Sequence, residues 1–223
     1  MQRVKTGIPG LDEIINGGIP EGQTVLVSGS AGAGKTILAS NYIYNGAKKF
    51  SDPCIYLSFE EAPESIRRNA LAFGWDFAPL EKDEKISFVK YDPYHVVDDV
   101  VNNLGGEIRE IGAKRVVVDS ISALSCYIKE EAELRRLVFN LSQVLEKLEC
   151  TALLLSEIIP GSRKLSRYGV AEFVSDGVIV LYHNRRDSSF TREMQVWKMR
   201  GTRHSEKYHP FSITNSGISV DPR

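Results

Sequence analysis

The chain has 223 residues, 42% of them hydrophobic, enough for one substantial core at the upper end of a single domain's usual length, so one domain over residues 1–223 is expected. Its 28 Lys and Arg nearly cancel its 29 Asp and Glu, and the net charge of -1 argues neither for nor against a nucleic-acid partner. The opening Met1 to Gly10 holds no signal-peptide core and no window approaches the roughly 18 apolar residues of a spanning helix, which predicts a soluble, cytoplasmic chain with no membrane partner.

The first strand signal is the apolar run Thr24 to Ser28, and it leads into Gly29-Ser30-Ala31-Gly32-Ala33-Gly34-Lys35-Thr36. That octet fits Gly-x-x-x-x-Gly-Lys-[Ser/Thr], and a helical pattern from Lys35 to Phe50 follows it. Strand before and helix after are the context the motif requires. Its glycines let backbone N–H groups turn inward around phosphates, and the helix N-terminus adds a partial positive charge. Lys35 is expected to reach the β and γ oxygens, and the Thr36 hydroxyl to ligate Mg2+, so the cofactors read as ATP and magnesium. A chance match in a glycine turn is the bland alternative, but the chemistry makes a further demand that chance does not. An acid must stand at the end of a neighbouring strand.

Downstream, Cys54 to Phe59 is a strand run that ends in Glu60-Glu61, and a helical pattern covers Glu64 to Phe73. A carboxylate at that strand end can orient and deprotonate an attacking water, while acids ahead of a helix also offset its dipole. Ile86 to Lys90 reads as a strand and Val96 to Ile111 as a helix. Arg115 to Asp119 then supplies the demanded acid, Asp119, as the second metal residue. From Glu130 to Leu148, Leu134, Leu137, Val138, Leu141, Val144, Leu145 and Leu148 recur at three and four, the stripe of a core helix. Thr151 to Ser156 is the next strand, with Ser156-Glu157 in a sensor position at its end. The loop from Ile158 to Val170 carries Arg163, Lys164 and Arg167. Cys54, Cys126 and Cys150 form no Cys-x-x-Cys pair and read as buried small hydrophobes.

After Asp176 the texture changes to strand-like runs at Gly177 to His183, Glu193 to Met199, Tyr208 to Ile213 and Ile218 to Val220, joined by polar turns such as Asn184 to Ser188. The alternation of strands and helices predicts an α/β fold with a mainly parallel central sheet flanked by helices, closed by an antiparallel C-terminal hairpin extension. From Gly177 to His209 there are seven Lys or Arg residues against three acids. Lys198 and Arg200, two apart on a strand, project to one face and can grip a phosphate together. A solvated edge that discourages aggregation is the competing reading.

The phosphate loop, the strand-end Glu60-Glu61 and Asp119 stand with an opening Thr6-Gly7-Ile8-Pro9-Gly10-Leu11-Asp12 and a later Lys198-Met199-Arg200-Gly201-Thr202-Arg203-His204. That set resembles the KaiC branch of the RecA-like P-loop ATPases over nearly the whole chain. The resemblance implies that Glu60 is the catalytic base and Glu61 its neighbour. It implies that Lys198, Arg200 and His204 reach the nucleotide of an adjacent subunit, in a homo-oligomer of the hexameric-ring kind. Unlike circadian KaiC, this chain carries one such domain and no counterpart of the phosphorylated Ser-Thr segment. The leading expectation is a magnesium-dependent ATPase. The alternatives are a nucleotide-gated oligomeric scaffold with negligible hydrolysis, and a recombinase-like DNA-binding ATPase using Arg163 to Arg167, which the overall charge does not support. Autokinase activity is a minor variant.

Overall fold

A computed structural model describes residues 2–91, 96–124, 127–128, 130–159, 161–186 and 188–223. Cys126, and Asp187 within the turn from Asn184 to Ser188, lie outside them. The N-terminal stretch contains β1 (Arg3–Val4), α1 (Leu11–Ile14) and β2 (Ile19–Pro20), with β1 and β2 forming a small antiparallel pair. The main elements follow as β3 (Thr24–Gly29), α2 (Lys35–Asn45), β4 (Cys54–Ser58), α3 (Pro63–Leu71), α4 (Ala78–Lys82), β5 (Ile86–Lys90), α5 (Val96–Ile111), β6 (Arg115–Asp119), α6 (Ile121–Leu124) and α7 (Glu131–Lys147). β7 (Thr151–Glu157), α8 (Ala171–Val174), β8 (Gly177–Arg186), β9 (Ser189–Met199), β10 (Tyr208–Thr214) and β11 (Gly217–Val220) complete the chain.

Among the described residues, nine strands form one sheet in the order β11-β10-β9-β8-β3-β7-β6-β4-β5. Pairing is parallel from β8 through β5 and antiparallel from β8 through β11. This is the mixed α/β architecture expected, a parallel centre with antiparallel C-terminal strands. The central strands are apolar on both faces because both are covered. Val25, Val27, Tyr56, Val117, Leu153 and Leu155 pack with α2 on one side. Leu26, Ile55, Leu57, Val116, Val118 and Leu154 pack with α5 and α7 on the other. The α7 stripe is core, with Leu134, Leu137, Val138, Leu141 and Leu145 buried.

Several short elements were not anticipated, namely β1, α1, β2, α4, α6 and α8, since two to five residues carry too little periodicity to register. The β8–β9 ladder also runs further than the polar turn suggested, to Arg186 opposite Ser189. Polar cross-strand contacts sustain it: the Asn184 amide donates to Glu193 Oε2 at 3.2 Å, and the His183 and Phe190 rings lie 4.7 Å apart. No helix among the described residues is long and apolar enough to cross a membrane. Cys54 and Cys150 are buried free thiols, and burial pushes Cys54 up to about 12.

The helix expected from Lys35 to Phe50 is α-helical only to Asn45, after which Gly46–Phe50 widens into a π turn. Gly46, the first residue of that turn, packs against Arg115 at the start of β6, only 1% exposed, and a Cβ there would stand 2.5 Å from the Arg115 Cδ. Arg115 pairs with Asp52 at 2.7 Å, donates to the Lys5 carbonyl at 2.9 Å, and lies over the rings of Tyr42 and Phe50. Asp52 is 31% exposed, so the orphaned charge would be partly hydrated. Arg115→Ala should therefore cost about 3 kcal/mol, read as a lower urea midpoint with an unchanged slope.

Candidate functional site

The parallel strands deliver their C-terminal ends to one edge of the sheet, where open α/β folds place ligands. In register, Gly29 lies beside Glu157 and Leu181, and Ser58 beside Asp119. β3 hands over to α2 through the 29–36 loop. Gly29 must be glycine because a Cβ would stand 2.6 Å from the Leu181 carbonyl oxygen, and Gly34 adopts φ 105° against Ile213. Gly32 is also left-handed at φ 75°, Ala33 is buried, and Ser30, Ala31 and Gly32 face outward at least in part.

Lys35 folds over this loop, its Nζ donating to the carbonyls of Gly29 and Ser30 at 3.0 Å each. Burial lowers its pKa, opposed by the nearby charges of Glu157, Asp119 and Glu60. One turn on, Thr36 Oγ1 donates to Asp119 Oδ2 at 3.1 Å, and the Tyr56 hydroxyl donates to the same oxygen at 2.6 Å. Burial raises the Asp119 pKa, while the hydrogen bonds from Tyr56 and Thr36 pull it down. A desolvated cation and a desolvated carboxylate thus face one crevice, each gaining if an anion and a cation share it.

The donors suit a magnesium-bound triphosphate. Thr36 and Asp119 present hard oxygens, the ligand type Mg2+ takes in small number beside water and phosphate. Ser58, level with Asp119, adds a buried hydroxyl with no protein partner. Gly32 and Gly34 keep the loop's backbone open to close approach.

The adjacent acids part company. Glu60 is exposed toward the crevice, accepts from Ser120 Oγ at 3.3 Å, and acts electrostatically on both Lys35 and Asp119. Glu61 turns onto α3, where Ser65 Oγ donates at 2.7 Å and Asn69 Nδ2 at 2.9 Å. At the end of β7, the Ser156 and Ser122 hydroxyls lie 3.3 Å apart, and Glu157 pairs with Arg167 at 3.1 Å. Lys164 in the same loop pairs with Glu131 at 3.5 Å and donates to the Tyr168 carbonyl.

Lys198, Arg200 and His204 do not join the loop of their own chain. Lys198 stands opposite Val178, near the start of β8, whereas Gly29 is level with Leu181 and Met194. Three residues of β8, from Val178 to Leu181, separate those levels, about 10 Å. Arg200 pairs instead with Asp176 at 2.9 Å, and the His204 ring meets the Ser205 carbonyl at 2.9 Å. Burial lowers the Lys198 pKa, and Arg200 adds to that effect. Exposed aromatics accompany this cluster, Phe173 at 66% and Trp197 at 51%.

Two neighbours of the site escaped sequence reasoning, Tyr56 and Ser120. The available signal for Tyr56 was a polar tip inside an otherwise apolar strand, two residues before the strand's end. The opening Thr6 to Asp12 segment proves architectural: the Asp12 carboxylate accepts from Thr6 N at 2.8 Å and Gly7 N at 3.1 Å, while Asn45 donates to the Thr6 carbonyl.

A family model described as "ATPase: KaiC" matches residues 4–223. A UPF0273 protein of Methanocaldococcus jannaschii is 42% identical over 100% of this chain and 97% of its own length. The circadian clock oscillator protein KaiC of a Picosynechococcus strain is 37% identical, with all of this chain covering 45% of that longer protein. Among solved structures, a KaiC-like protein of Pyrococcus horikoshii superposes with a TM-score of 0.91 at 42% identity, covering 99% of both chains.

Proposed function

The chain belongs to the KaiC ATPase family, and from that premise we propose that it binds ATP with magnesium and hydrolyses it at sites shared between subunits of a homo-oligomer, a hexameric ring. The observation that carries this reading is the convergence of Lys35, Thr36, Asp119 and Glu60 on one crevice, while Lys198 and Arg200 stand near the start of β8, away from it.

In this reading the backbone amides of 29–36 and Lys35 hold the β- and γ-phosphates. Glu60, steadied by Ser120, orients a water and takes its proton as the water oxygen bonds to the γ-phosphorus and the bond to the β–γ bridging oxygen breaks. Thr36 and Asp119 would hold a magnesium ion, which would supply charge neutralisation for the transferring group. Glu61 contributes by anchoring the start of α3, which keeps its neighbour aimed at the crevice. Lys198, Arg200 and His204 serve the phosphates of the next subunit, where an arginine supplied in trans stabilises developing charge. Phe173 and Trp197 give that second copy an apolar surface to cover.

Mass in solution, measured with and without ATP and magnesium alongside phosphate release, tests the proposal. The expected result is a six-subunit species with ATP and steady release of phosphate. Assembly without phosphate release would replace the enzyme with a nucleotide-gated scaffold, and no response to any triphosphate would remove the reading.

A further inference from the structure

Tyr56 is a buried phenol that the reaction outlined above leaves without a task. It stands in β4, fully buried, its ring stacked on Phe88 with centroids 5.6 Å apart and planes at 27°. That packing accounts for the ring and not for the hydroxyl, because phenylalanine would fill the same space. The hydroxyl donates to Asp119 Oδ2 at 2.6 Å, a shorter contact than the 3.1 Å bond from Thr36 to the same oxygen. Ser40, in the turn of α2 after Thr36, lies beside the phenol.

The consequence is geometric. An aspartate carboxylate turns broadly about its last torsion, and a carboxylate that must be ordered by its ligand loses binding free energy in doing so. Here two donors, one from β4 and one from α2, hold a single oxygen from separate elements of the core. We propose that Tyr56 is a positioning residue for the magnesium site, its hydroxyl holding the Asp119 carboxylate in one orientation beside Thr36 before the cation arrives. Partners one step removed from a metal ligand set its affinity in this way, and losing one commonly costs tenfold or more.

The inference rests on the magnesium–ATP reading, and the test separates the two. The probe is a fluorescent ATP analogue titrated at equilibrium, with EDTA and across a magnesium series, so the readout does not depend on turnover. In Tyr56→Phe the magnesium concentration at half-maximal tightening should rise about tenfold, with affinity in EDTA unchanged and hydrolysis recovered at high magnesium. Phe88→Leu is the packing control: it loosens the ring stack, should lower the melting temperature, and should leave the magnesium midpoint in place. A wild-type midpoint in Tyr56→Phe overturns the inference, as does an equal shift in Phe88→Leu, which would make Tyr56 a packing residue alone. If wild-type protein shows no magnesium effect on nucleotide binding, the underlying site reading fails instead.

Discussion

Glu60→Gln should lower ATP turnover by about 10²- to 10³-fold while leaving ATP affinity within about twofold of wild type. The substitution keeps size and the acceptor for Ser120, whose Oγ donates to Glu60 Oε2 at 3.3 Å, so the crevice retains its shape. What it removes is the group able to take a proton from water, an interaction realised only as the γ-phosphorus is attacked. Single-turnover phosphate release at saturating ATP isolates that step. Glu61→Gln is the informative comparison, because the two acids are adjacent in sequence and divided by the fold. The Glu61 carboxylate is occupied by Ser65 and Asn69, both on α3, so its loss should appear chiefly as about 1 kcal/mol of stability. Equal losses of turnover in the two variants, or none in Glu60→Gln, would withdraw the base assignment.

Mixing two inactive variants should restore activity. Lys35→Ala removes the point charge on the phosphates, and Arg200→Ala removes the cation assigned to the neighbouring site, each expected to reduce turnover by about 10³-fold or more alone. Arg200 is 59% exposed and pairs with an Asp176 that is itself partly exposed, so its loss should cost at most about 1 kcal/mol and the variant should fold. In a ring assembled at random from equal parts, an interface is complete when an intact loop meets an intact Arg200. That condition holds at about one interface in four, so the mixture should recover about a quarter of wild-type turnover per site. Catalysis confined within each chain predicts no recovery at any ratio. Three residues of β8, about 10 Å, already separate the Lys198 level from the Gly29 level within a chain.

Much of the fold was legible because its signals are local. Arg115 to Asp119 and Ile86 to Lys90 were bounded to the residue by apolar runs ending in charged or turn residues, and the α7 stripe showed its buried face through helical spacing alone. The 29–36 loop was legible for the same reason: glycine spacing, a preceding strand and a following helix are all statements about neighbours in sequence. The close packing of Arg115 on Gly46, where the π turn begins, was not, since sixty-nine residues separate the two.

The amino-acid order by itself determined the strand and helix segments, the phosphate loop, and the demand for an acid at a strand end. Only the tertiary structure decided that β3 lies between β7 and β8, that Glu60 faces the crevice while Glu61 turns to α3, and that the Tyr56 hydroxyl donates to Asp119. It also decided that Lys198 and Arg200 stand near the start of β8, away from their own loop. The physical reason is that backbone propensity and hydrophobic period act over a few residues. Strand order, side-chain direction at a strand end and hydrogen bonds between elements come from packing segments distant in sequence, which no local pattern encodes.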